Sequence, residues 1–79
     1  KEEFIDQVQE WIKIHIIPAK KANNKYTSYS LKHMVENWST GKLYITNNQF
    51  KDAMMTAGYM PVDENELNWR YRIKVKEEQ

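Results

Sequence analysis

From Trp69 to Lys76 apolar and cationic side chains alternate without a break: Trp69, Tyr71, Ile73 and Val75 against Arg70, Arg72, Lys74 and Lys76. A period of two marks an extended strand, so this segment predicts four apolar groups turned inward and four cations turned outward. The rest of the chain must supply the core that the inward row needs. With 79 residues there is room for one small domain, expected over residues 1–76 with 77–79 as a frayed tail. Cysteine is absent, so no disulfide or thiolate metal site can staple the fold, and stability must come from aromatic and aliphatic packing.

Three helices are expected to provide that packing. Over residues 2–17 the positions Phe4, Ile5, Val8, Trp11, Ile12 and His15 repeat at helical spacing, and Pro18 is placed to stop the helix. Residues 19–26 read as a polar, basic loop. Thr27 or Ser28 can cap a second helix with Leu31, Met34, Val35 and Trp38 on one face and Gly41 at its end. Leu43-Tyr44-Ile45 reads as a short strand. Thr46-Asn47-Asn48-Gln49 has the form of a capping box, and Phe50, Ala53, Met54 and Ala57 then repeat a helical stripe up to Gly58. Tyr59 to Val62 and Trp69 to Val75 are expected to form a hairpin across the acidic loop 63–68. The fold class is therefore α+β, three helices on a small antiparallel sheet that ends in a β-hairpin.

Net charge is only +1, but it is unevenly distributed. Residues 1–12 carry one base against four acids, and residues 13–42 carry six lysines against Glu36 alone. The longest apolar run, Trp11 to Ile17, is interrupted by Lys13 and His15 and falls well short of the ~20 residues that span a bilayer. No membrane association is expected, and the cytoplasm is the default location.

Little here suggests catalysis. His15 and His33 are the only histidines and fit no metal spacing, so no metal site is expected. Asp63-Glu64-Asn65-Glu66 lacks the turn glycine and distal glutamate of a calcium loop. Two glycines cannot build a phosphate-cradling loop, and no cofactor or enzymatic role is expected. The remaining constellation is electrostatic. Arg70, Arg72 and Lys74 on the strand, Lys51 on helix three, Lys42 and Tyr44 before it and the loop lysines Lys20, Lys21 and Lys25 can together meet a phosphate backbone. Asn47 and Asn48 at the start of helix three have the chemistry to read base edges. Asp52 on the same helix and the acidic loop oppose that reading. An outward cationic row also protects a sheet edge from aggregation.

The stretches Thr27-Ser28-Tyr29-Ser30-Leu31-Lys32-His33, Leu43-Tyr44-Ile45-Thr46-Asn47-Asn48-Gln49-Phe50 and Ala57-Gly58-Tyr59 resemble small winged-helix-like proteins of bacteriophages and mobile elements. More loosely, they are similar to the winged-helix tails of phage and plasmid helicase-primases. The likeness covers about residues 27–73. It implies a winged helix with helix three, from Asn47 to Ala57, as recognition helix and Arg70 and Arg72 in a wing strand; it brings no named activity, since winged helices also serve as protein-interaction modules. Seven residues between helices two and three, Ser39 to Ile45, exceed the usual helix-turn-helix spacing of about 3–4. Two other expectations stand beside DNA binding: a protein-interaction or inhibitor module using Met55, Met60 and Tyr44, and a homodimer formed through an unpaired strand edge.

Overall fold

Helix α1 runs from Glu2 to His15 and buries Val8, Trp11, Ile12 and His15 along one side. These facts come from a computed structural model that describes residues 2–76; the tail expected at 77–79 lies outside them. The helix ends before Ile16, two residues short of the expected limit, and Ile16–Pro18 form strand β1. Two β-branched residues ahead of a proline favour extended backbone, because the proline ring clashes with a helical residue before it.

Strand β1 pairs antiparallel with β2, Ile73–Val75, in the register Ile16 to Val75, Ile17 to Lys74 and Pro18 to Ile73. Backbone bonds continue the pairing at both ends. Lys76 N donates to His15 O at 2.7 Å, Ala19 N to Arg72 O at 2.9 Å, Asn23 N to Tyr71 O at 2.8 Å and Ser28 N to Trp69 O at 2.8 Å. Residues 15–28 thus run antiparallel along residues 69–76. Asn23 anchors the loop between them: its Oδ1 accepts from the amides of Lys25 and Tyr26, and its Nδ2 donates to Ile73 O at 3.2 Å.

Helix α2 spans Ser28–Trp38 and is capped by Thr27, whose hydroxyl accepts from Ser30 N while Ser30 Oγ accepts from Thr27 N. This reciprocal box satisfies two amides that the first turn would leave unpaired. Gly41, at φ +79°, closes the helix by donating from its amide to Glu36 O. Helix α3 spans Asn47–Thr56, with the expected box between Thr46 and Gln49. Phe50 and Met54 are buried, whereas Ala57, expected in the stripe, lies past the last turn and is exposed.

Two expected strands do not form. Leu43 and Ile45 are buried and Tyr44 is exposed, so the side chains alternate, but the amides of Leu43 and Ile45 donate to Ser39 Oγ and Glu36 Oε2. Side chains of the preceding helix take the place of a neighbouring strand. The hairpin of 59–62 with 69–75 is also absent. A single bond, Val62 N to Arg70 O, links those segments, and Pro61 has no amide with which to extend a ladder. The sheet has two strands, 55 residues apart in sequence, and joins the first helix to the last segment.

The alternation of 69–76 is kept. Tyr71 and Ile73 are buried, Trp69 and Val75 half-buried, and Arg72, Lys74 and Lys76 exposed. The inward row completes one core with Trp11, Ile12, Leu31, Val35, Ile45, Phe50 and Met54. Within it Trp11 meets the Phe50 ring edge-on, with centroids 6.2 Å apart. Among the described residues no helix is long and apolar enough to cross a membrane.

Candidate nucleic-acid interface

The residues proposed from the sequence separate into three groups. Arg72 and Lys74 stand exposed on the face of the strand turned away from the core. Because Ala19 is bonded to Arg72, the loop that follows brings exposed Lys20 and Lys21 beside that row. Among the described residues, no acid pairs with Lys20, Lys21, Arg72 or Lys74. Four exposed cations therefore lie on two adjoining segments, none of them paired with an acid among the described residues.

Arg70 belongs to the same row by parity but is already engaged. Its Nε and Nη2 donate to the two carboxylate oxygens of Glu66, both at 3.1 Å, and its Nη1 donates to Asn24 Oδ1 at 2.8 Å. The hydrogen bond to Glu66, followed by the charge of that carboxylate, pushes the guanidinium pKa further up. A bidentate fork of this kind holds the acidic loop against the strand. Glu66 is thereby partly neutralised, which reduces the repulsion expected of that loop. The loop also bonds internally, with Asn65 N donating to Asp63 Oδ1.

The helix-three residues form a second group, around Trp69. The ammonium of Lys51 sits 4.5 Å from the centre of the Trp69 ring, a cation–π arrangement. Asn47 donates from Nδ2 to Asn68 Oδ1 at 3.0 Å and to Leu67 O at 3.4 Å. It ties the start of α3 to the loop and is not directed to solvent. Asn48 is exposed, and so is Asp52 one turn later. Since Phe50 and Met54 of α3 pack against the inward row of the strand, this helix and the cationic row lie on opposite faces of residues 69–76.

The third group joins Lys42 and Tyr44, expected from the sequence to meet a phosphate backbone, to Tyr29, Lys32 and His33, which went unrecognised from the sequence. Lys32, only 9% exposed, places its ammonium 5.3 Å from the centre of the Tyr29 ring, 5.9 Å from that of Tyr44 and 3.5 Å from Glu36 Oε2. His33 meets Tyr29 edge-on at 4.6 Å and approaches Glu36 Oε1 at 3.3 Å. Exposed Lys42 lies two residues before Tyr44 on the outward side of the same segment. The interleaving of Lys25, Tyr26, Tyr29, Lys32 and His33 was the available signal. It was masked because the helical stripe of Leu31 and Val35 explains the same residues as the outside of a helix.

No protein-family model matches this sequence, and no curated protein or solved structure shows significant similarity to it. Among the described residues no group of three or more His, Asp or Glu side chains is placed to hold a metal.

Proposed function

We propose that this chain is a small DNA-binding module of winged-helix type that contacts phosphates through Lys20, Lys21, Arg72 and Lys74. The observation that carries this reading is the pairing of 15–28 with 69–76, which sets two loop lysines beside two strand cations with no acid among them. Cations grouped on one surface displace condensed counterions from a nucleic-acid backbone and so supply sequence-independent affinity. The winged-helix reading is supported by the order helix, strand, helix, helix, strand, with the first strand paired to the last. In it, residues 63–68 stand where a wing belongs, and the resemblance over 27–73 points the same way. Arg70 is a positioning residue for that loop and not a phosphate ligand. Asn48 is exposed on helix three but lies away from the cationic row, so phosphate contact rests on that row, while Asn47 and Lys51 hold the helix to the loop.

Fluorescence anisotropy of a labelled duplex at low and moderate salt tests the reading. Binding that weakens with salt supports it. Arg72→Ala with Lys74→Ala should lower the log–log salt slope by about 2, roughly one for each phosphate that is no longer neutralised. Arg70→Ala should leave that slope nearly unchanged. No binding at low salt would sink the DNA reading.

One observation favours a protein-interaction module instead. A cavity of about 360 Å³ between α1 and α3 is lined by Phe4, Ile5, Val8 and Ala53, and Met55 and Met60 are exposed elsewhere. A partner that stays bound as salt rises would support that alternative.

A further inference from the structure

Tyr44 is 83% exposed and Tyr29 is 50% exposed, so neither ring is explained by burial. Neither is loosely placed. Tyr44 lies between two buried residues, Leu43 and Ile45, whose amides are bonded to α2 side chains and to the residue that caps that helix. Tyr29 sits in the first turn of a capped helix and is braced by the His33 ring. The buried Lys32 lies within cation–π distance of both rings and links them into one shelf. The acid at this shelf, Glu36, is occupied by Lys32, His33 and the Ile45 amide. Beyond it, residues 13–42 are strongly cationic.

We propose that Tyr29 and Tyr44 form a stacking platform for unpaired bases of a single-stranded nucleic acid, with Lys42 beside them to meet its backbone. The inference rests on the nucleic-acid reading above and gives it a strand preference. Aromatic rings accept any base because every base has a π-face, but a base inside a duplex has both faces covered by its neighbours. A platform of two rings on a cationic surface therefore suits a strand whose bases are free. A polyanion is the matching partner, because the carboxylate at the shelf is already engaged.

The test is anisotropy with labelled oligothymidine and oligouridine of about 20 nucleotides, longer than a typical single-strand site, and with a duplex of equal length. Tyr44→Ala combined with Tyr29→Ala should weaken single-strand binding roughly tenfold or more and leave duplex binding unchanged. Tyr44→Phe should bind single strands as the parent does, because it keeps the ring. Circular dichroism of each variant checks that the fold is retained. If both strand forms bind but the double alanine variant binds single strands like the parent, the platform is wrong and the phosphate-binding reading stands. If neither form binds the parent at low salt, both readings fall and the shelf is left for a protein partner.

Discussion

Tyr71 carries its hydroxyl into the centre of the core, where the group is buried and has no hydrogen-bond partner among the described residues. Burial without a partner disfavours the charged phenolate and pushes the Tyr71 pKa well above its usual value near 10. Above pH 10 the unfolded chain gives up this proton and the folded chain keeps it. Stability is therefore full below that pH and declines above it, by up to about 1.4 kcal/mol per pH unit. Tyr71→Phe keeps the ring and removes the desolvated hydroxyl, so it should be neutral or stabilising by about 1 kcal/mol at pH 7. It should also flatten part of the alkaline decline; Tyr59, whose pKa burial raises as well, contributes in the same direction. Urea unfolding at pH 7 and pH 11 measures both effects. Arg70 shows what the sequence conceals at this scale. Parity alone places it with Arg72 and Lys74, but Glu66, four residues earlier, and Asn24, distant in the chain, take up its guanidinium. The first partner was legible as a spacing; the second was not, because no local pattern reports a bond across 46 residues.

At the scale of elements the box at 46–49 was legible and the cap at Thr27 or Ser28 was legible as a cap, because a cap is local chemistry: a Thr, and three positions later a side chain that reaches back. Thr46→Ala removes the acceptor for Gln49 N and Thr27→Ala the acceptor for Ser30 N, and each should cost about 1 kcal/mol of unfolding free energy. Chemical denaturation followed by tryptophan fluorescence would resolve either loss. Gly58 has φ +96° and open space where a Cβ would sit. Gly58→Ala therefore carries only backbone strain, again about 1–2 kcal/mol. The segment 42–46 has the alternation of a strand without being one. Alternation reports which side chains are buried, not which groups receive the amides, and here Ser39 and Glu36 receive them.

For the whole molecule the strand 69–76 was legible as a strand, but its partner was not. Pairing is set by which edge the helices leave open and by Pro61, which denies a ladder to the nearer candidate. The outcome places the closing pair between the end of α1 and the last described segment. Ile73 is buried there and should report on the pairing in a graded way. Ile73→Val should cost about 0.5–1.5 kcal/mol. Ending the chain at Arg72 removes Ile73 and the whole two-stranded sheet. That loss is comparable to the ~3–5 kcal/mol a core of this size supplies, so the shortened chain should show no cooperative thermal transition by circular dichroism.

The late position of β2 also bears on how the protein is made. Translation delivers α1, α2 and α3 before the segment that completes their core, so the part of the core that residues 69–76 cover stays open until they have left the ribosome. Trp11, Phe50 and Leu31 belong to that core and are open to chaperones or to neighbouring nascent chains until the segment emerges. Chains stalled just before and just after that segment clears the exit tunnel should differ sharply in protease resistance, and equal resistance would mean that the helices pack without it.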